Sequence, residues 1–552
     1  MGEGILFAAL SALPIALAIL MMVGLKKKSG VSLFAAWLLS IVLAVAFWGM
    51  GIDHVGAFTA LGVLSAINVI LIVFFAIFLL NALIELRFIE TIGNGLNSIT
   101  QDRRIQIIII AWLFGALIEG AAGFGTPGAL AAPLLVGLGV PTFFAALSSI
   151  MANYSPVLFG AVGIPPVMGF NSVRPFLEAR FGEITTEMIY AELTTMTGFT
   201  NIFIGSFVPF LIIASCVARD GRKRGLKDAV NILPLCLFAG VIFTVPVWLL
   251  SYFGPEIPTL VGSLIALPVF ILTVKKGFLV PKKIYRFQDD PIPELSEMAD
   301  TGVSTAIAWS PYVIIALLLA VSRLPWLPFS NIFTHPSVTI SVSGLFGFKG
   351  INWSWQILNN PGLLPFLPVA LIFLIARKTP AEAILKIFAK TTKQLQNAFL
   401  ALVFGVALVQ IMRYTNYSNP GAESEAMTTE IARALAGSFG GLYPLVAPVI
   451  GALGAFVSGS HTVSNVMFYG LQVEAAEQLG LPIVMVLIGQ TSGASIGNMV
   501  AIHNAVSISA TTGAIGSEGK IISAAFLPFI LCLLSISAIL LLYMVLKVTW
   551  VA

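Results

Sequence analysis

Two apolar stretches of this 552-residue chain carry, near their centres, residues able to hold a small anion: GAAGFGTPG at 120–128 and SGSHTVSN at 458–465. In hydrocarbon every backbone N–H and C=O needs a partner, so irregular chain survives only where protein or a water-filled cavity surrounds it. Glycine permits close backbone approach and unusual dihedrals, and Pro127 can start a helix without wasting a donor. A helix N-terminus at such a break presents free N–H groups and a positive dipole end, which suits a carboxylate. On this reading Gly123, Phe124, Gly125 and Thr126 at the first tip face a substrate. Ser458, Ser460, Thr462, Ser464 and Asn465 do so at the second. Each tip is followed by a crossing with its own polar interruption, Asn153-Tyr154-Ser155-Pro156 and then Gln490-Thr491-Ser492-Gly493 continuing to Asn498. Asn153, Gln490, Thr491 and Ser492 therefore complete the expected lining. For a single glycine, close helix packing of the small-xxx-small kind is an equally good explanation. It does not account for paired tips.

Three titratable residues lie where they could couple a proton to transport. Glu119 stands at the shoulder of the first tip, and an intramembrane carboxylate is costly unless paired, protonated or facing water. Its alternative role is to hold the hairpin backbone. His461 and His503 both fall in the second stretch, and histidine titrates near neutral pH. Either could instead be structural. His54 and His335 are expected in external loops. Neither tip nor interruption contains Lys or Arg, so a bound anion would rest on N–H groups, hydroxyls and amides. That favours a small, singly charged substrate over a polycarboxylate. Cys216, Cys236 and Cys532 are far apart, without metal-binding spacing, and read as packing residues. No metal and no cofactor is expected.

The elements that position these groups are membrane helices. Hydrophobic residues make up 58% and charged residues 10% of the chain, where soluble domains carry about 25% charged. Runs such as 5–25, 32–47, 230–250 and 523–546 approach or exceed the roughly 20 residues of a spanning helix. They are too many for a signal peptide on a soluble enzyme. The net charge of +4 resides mostly in loop Lys and Arg, which sets orientation and gives no sign of nucleic-acid binding.

The two stretches are related. Both contain a Gly-Ala pair (Gly115-Ala116, Gly454-Ala455), a glycine five residues on (Gly120, Gly459) and a closing LGxP word (138–141, 479–482). Basic clusters at 26–28, 103–104, 219–227, 275–286 and 377–393, placed in the cytoplasm, make the stretches enter from opposite sides. Opposed repeats with broken centres are how secondary transporters build a midplane site. The expectation is an all-α polytopic membrane protein with about twelve transmembrane helices plus two re-entrant hairpins in two inverted-topology repeats. Fourteen full crossings result if each hairpin arm spans. The first half is 1–274, with hairpin and broken helix at 104–170. A cytoplasmic linker covers 275–304, and the second half is 305–552, with its inverted counterpart at 440–512. Residues 171–190 are expected outside as a connection. Residues 324–361 read as an external loop with interfacial Trp353 and Trp355, and Ala381–Gln396 as an amphipathic helix along the interface.

With these words in hand, the chain resembles the lactate permease family. EGAAGFGTP (119–127) is close to that family's signature, and LLVGLG (134–139), GSHTVSN (459–465) and the stretch 497–520 match in pattern. The resemblance implies proton-coupled uptake of L-lactate, glycolate or a related 2-hydroxy monocarboxylate across a prokaryotic plasma membrane. Better-known members carry an acidic residue where His461 stands and a lysine where Asn498 stands, so the coupling residue and the acid bound are open. The alternative within transporters is a di- or tricarboxylate carrier, for which backbone carbonyls at the breaks could bind a coupling Na⁺. A channel filter normally uses symmetric rings, and these tips are unlike. A pump would need a GxxxxGK[ST] word, and a hydrolase a GxSxG elbow; neither is present. The partners expected are a small carboxylate, protons and the lipid bilayer, with no nucleic acid; a homo-oligomer is left open.

Overall fold

The computed structural model describes residues 2–551 apart from 22–24, 26, 28, 98, 124–125, 222–224, 289–300, 323–331, 334, 349, 361, 418–424 and 515–516. The described chain is helical almost throughout. Runs of Leu, Ile, Val, Phe and Ala leave the backbone no partner but itself, and in hydrocarbon the helix is the single-segment solution. Several helices begin with proline in the first turn, among them Val208–Val217, Leu233–Ser251, Pro258–Lys275 and Tyr443–Ser458, where its missing N–H costs nothing.

Among the described residues, eight helices are long and apolar enough to cross a membrane, or up to ten if each of two sharply bent pairs is one span. The protein is therefore a multi-pass, all-α membrane protein. The expected twelve crossings are not confirmed, because the apolar stretches Leu6–Ile19, Ile52–Ile67, Thr305–Ile315 and Gly362–Ala376 are shorter than the others.

Three regions carry more structure than the sequence specified. Residues 171–190 form a helical hairpin: Gly160–Phe181 runs on through Pro175, turns at Gly182 (φ 81°) and continues as Glu183–Gly205. Arg174 holds the helical hairpin closed by an ion pair to Glu187. Ala381–Gln396 is not separate from the crossing after it. A single helix, Ala381–Arg413, bends by 41° between Gln396 and Phe399. Buried Thr391 of its first part accepts from Asn81 Nδ2 at 3.0 Å, which anchors it to Ile52–Glu85. The region around Trp353 and Trp355 includes a two-stranded antiparallel hairpin, Thr339–Val342 with Trp353–Gln356, pairing Thr339 with Gln356 and Val342 with Trp353. β-Branched and aromatic residues at these positions favour strand.

The two related stretches fold in the same order. The first is a helix (Arg103–Ala121), a break, a helix (Thr126–Gly137), a turn at its LGxP word, and a broken helix (Thr142–Val157 then Gly160–Phe181). The second is Tyr443–Ser458, a break, His461–Leu479, a turn at its LGxP word, then Ile483–Gly497 and Ile502–Thr512. In both turns the LGxP glycine has positive φ, 94° at Gly139 and 62° at Gly480, which glycine alone adopts without strain.

Candidate functional site

The helix that presents Glu119 is fixed at its base. Asp102 caps it, accepting from Arg104 N at 3.0 Å, and pairs with the Arg104 guanidinium at 2.7 Å. Arg104 also donates to the carbonyls of Asp228 and Lys283. Tyr285 donates its N–H to Asp102 and its hydroxyl to Asp220 at 2.6 Å, so the chain after 280 straps this base to Asp220. Above the base, residues Ile108–Phe114 widen into a π-helix, a form found mostly at functional sites, before the α-helix resumes at Gly115. Gly120 then meets Pro258–Lys275 so closely that a Cβ would stand 2.6 Å from Leu260 N. Its absence lets the helices touch, and that contact aims Glu119 at the next break.

Glu119 is 2% exposed, and its Oε2 has no hydrogen-bond partner. Room for it is made by two glycines. A Cβ at Gly123 (φ 58°) would stand 3.2 Å from Glu119 Oε1, and one at Gly160 would overlap that oxygen. Phe124 and Gly125 lie outside the described residues, as does the side chain of Thr126, whose backbone opens the following helix.

The first crossing breaks over a longer span than its Asn-Tyr-Ser-Pro word indicated. Thr142–Ala152 ends at Asn153, a single turn covers Tyr154–Val157, and Ala161, Val162 and Gly163 take left-handed dihedrals before the helix resumes, bent by 55°. Left-handed backbone at a β-branched valine costs on the order of 1–3 kcal/mol, a strain that collects at functional sites. The signal was present in the sequence: Gly160 and Gly163 beside Pro165-Pro166. Asn153 is buried with its Oδ1 unpartnered.

The second tip is a left-handed Gly459 (φ 70°) followed by Ser460, whose hydroxyl caps the next helix by accepting from Val463 N at 3.3 Å. His461 places Nδ1 3.1 Å from the carbonyl oxygen of Val157, and Nε2 3.0 Å from Asn465 Nδ2. Ser458 and Ser464 are turned inward, donating to the carbonyls of Gly454 and Gly451.

The second crossing does not break at 490–493. Gln490, Thr491 and Ser492 lie inside the regular helix Ile483–Gly497, all buried. Gln490 bridges Gln472 (2.9 Å) and the Ser464 hydroxyl (3.2 Å), and Thr491 bonds the Tyr469 hydroxyl. Their polarity is absorbed by neighbouring helices, so the helix has no reason to open. The break comes at 498–501, where Ala501 is extended and Asn504 donates to Asn498 Oδ1 at 3.4 Å. The side chain of His503 lies outside the described residues.

One cavity joins these breaks. Its walls are Glu119, Asn153, Val157, Gly160, Ala161 and Pro165 from the first stretch, and Gly459, Ser460, His461, Thr462, Asn498 and Asn504 from the second. Of the residues singled out in the sequence, Glu119, Asn153, Ser460, His461 and Thr462 meet there. Ser458, Ser464, Asn465, Gln490, Thr491 and Ser492 stand behind the wall. Gly160, Ala161, Pro165 and Asn504 join the lining unannounced. The cavity measures about 20 Å³, room for about one water. Among the described residues around it none is Lys or Arg. Arg413 donates to the Ser172 carbonyl and lies over Phe176.

Comparison with known proteins adds an independent line. The family model described as L-lactate permease matches residues 8–546. The L-lactate permease of Escherichia coli K12 is 28% identical over 94% of this chain and 92% of its own. The glycolate permease GlcA of the same organism is also 28% identical, with the same coverage, and the Bacillus subtilis L-lactate permease is 27% identical over 94% and 92%. Among solved structures, the YdaH transporter of Alcanivorax borkumensis aligns over 89% of this chain and 87% of its own at TM-score 0.43 and 13% identity, too loose a likeness to define topology.

Proposed function

This chain belongs to the L-lactate permease family, and from that premise we propose that it is a secondary active transporter of L-lactate or a related small 2-hydroxy monocarboxylate such as glycolate, working by proton symport. The observation that carries the reading is the cavity shared by four helix breaks, holding one carboxyl, one imidazole and several amides and hydroxyls, with no cation among the described lining residues. The helix N-terminus capped by Ser460 supplies oriented N–H groups for a carboxylate. The amides of Asn153, Asn498 and Asn504 and the hydroxyls of Ser460 and Thr462 can address a 2-hydroxyl.

Glu119 supplies the coupling. Two like charges about 4–5 Å apart repel by roughly 3–4 kcal/mol at an effective dielectric of 20, and no cation stands by to offset this. A substrate carboxylate therefore enters favourably only when Glu119 carries a proton. Leaving together on the far side gives symport. The two stretches act as inverted repeats that alternate access to the cavity between them. Transport leaves the substrate chemically unchanged, which distinguishes it from the enzyme reading.

The test is radiolabelled L-lactate uptake into proteoliposomes of the purified protein under an inward proton gradient, with glycolate, succinate and citrate as unlabelled competitors. Accumulation that collapses with a protonophore and yields to glycolate supports the proposal. No lactate flux in folded protein, with succinate or citrate transported or sodium required, replaces it with a di- or tricarboxylate carrier.

A further inference from the structure

The broken crossing of the first stretch leaves carbonyls without their usual helical donors. Val157 O would be met by the N–H of Ala161, but Phe159 (φ −123°, ψ 34°) takes the chain out of the helix between them. Tyr154 O would be met by Leu158 N, which turns instead to Ser155 O. An unsatisfied buried carbonyl costs about 1–3 kcal/mol, so something must answer them. Side chains of the second stretch do. Ser495 donates its hydroxyl to Tyr154 O, His461 reaches Val157 O, and Asn465 Nδ2 reaches Pro165 O at 3.3 Å. These partners lie at least 300 residues apart in the chain.

The contacts at the two ring nitrogens of His461 favour one form, with the Thr491 backbone also facing the ring. Only a donor can face Val157 O, so Nδ1 carries the proton. Asn465 turns its amide nitrogen to Pro165 O, and the same nitrogen lies against His461 Nε2, which must therefore accept. Both ring nitrogens are committed and the imidazole is 1% exposed. Of the described residues lining the cavity, Glu119 is the other titratable one.

We infer that His461 is a positioning residue and not the proton carrier: as a neutral imidazole it ties the second tip to the carbonyl freed by the break in the first crossing, so that the cavity is assembled only when both stretches are in register. The inference rests on the transport reading for its kinetic arm and stands alone for its structural arm.

The structural arm is ¹⁵N NMR of histidine-labelled protein in which His54, His335 and His503 are replaced. The expected spectrum is one neutral ring protonated on Nδ1 from about pH 5 to about pH 8, across the range where a free imidazole titrates. An Nε2–H tautomer or an imidazolium in that window overturns the inference whether or not lactate is transported. The kinetic arm compares His461→Ala, His461→Asn and His461→Gln in the proteoliposome assay, with folding checked by thermal denaturation. Asn places an amide N–H where Nδ1–H stands, whereas Gln places its amide at the Nε2 position. Loss of the tie should lower kcat/KM roughly tenfold in the Ala and Gln proteins, and Asn should recover it to within about threefold with the proton-to-lactate ratio unchanged. Wild-type rates in the Ala protein overturn the inference, as does an Asn protein that exchanges lactate without accumulating it. A wild-type protein that moves no lactate sinks the transport reading alone and leaves the NMR result to decide the tie.

Discussion

At the scale of the residue, the case for Glu119 is that of a carboxyl with room and no partner. Two absent side chains, at Gly123 and Gly160, give it space, and its Oε2 is unanswered. If it carries the coupling proton, Glu119→Gln keeps the shape and the neutral form while removing the exchange of protons. Proteoliposomes with this variant should lose lactate accumulation against a gradient and retain lactate–lactate counterflow within about threefold of wild type. Loss of folded protein, seen as a collapsed thermal transition, would point to a structural carboxyl instead. Gly160 tests the same geometry from the other side. A methyl at 160 would overlap Glu119 Oε1 and lie 3.0 Å from its Cδ, with the carboxyl hemmed in by Ala161 and Gly123. Gly160→Ala should leave the protein folded and lower lactate uptake about tenfold or more, in keeping with the rate loss that a displacement of about 1 Å produces. Near-normal uptake would mean that the Glu119 carboxyl can swing aside at no cost to transport.

At the scale of the element, glycines divide into those that bend the chain and those that let helices touch. Gly489, Gly493 and Gly497 recur every four residues on Ile483–Gly497, a small-xxx-small face. Gly493 lies against Pro448, where a Cβ would stand 2.6 Å from the backbone carbon, and Gly451 and Gly497 make matching approaches across the same pair of helices. Gly493→Ala should therefore cost about 1–3 kcal/mol by overpacking. The measurement is the thermal midpoint of purified protein, and an unchanged midpoint would show that the helices separate freely. The same stretch shows what a sequence reveals and what it hides. GAAGFGTPG and SGSHTVSN announced breaks because Gly and Pro remove helical options locally. Gln490-Thr491-Ser492 looked equally polar, yet their groups are satisfied by Gln472, Ser464 and Tyr469, partners that only tertiary packing supplies. The true break at 498–501 carries less polarity and follows from Asn498, Ala501 and Asn504. The π-helix at Ile108–Phe114 left no mark in a run of isoleucines, since a widened turn changes the backbone register without changing residue preference.

At the scale of the molecule, the cavity between the described residues measures about 20 Å³, room for about one water. Lactate has six heavy atoms, so the transport proposed above requires the two stretches to separate for binding and release. The ties that span them, from His461, Asn465 and Ser495 to the carbonyls of the broken first crossing, are individual hydrogen bonds. By contrast the base of Arg103–Ala121 is locked by a buried ion pair and by the Tyr285 strap, where removing one charge would cost about 3–5 kcal/mol. If the protein works by the proposed alternating access, the ties are the contacts that must give way and the strap holds. A cysteine at Ala161, on the cavity wall, reports this in a background lacking Cys216, Cys236 and Cys532, all of them buried and unpaired. Alternating access requires that a membrane-impermeant maleimide label it from outside in intact cells and from inside in inverted vesicles. Lactate should slow both reactions by occupying the cavity. Labelling from one side only would leave the chain a one-sided binding cleft, and labelling from both sides at rates indifferent to lactate would place the substrate elsewhere. The Ala161 site is demanding because its φ of 44° is strained for any side chain, so the same measurement at Thr462, whose helical backbone accepts cysteine, provides the paired reading from the opposite wall.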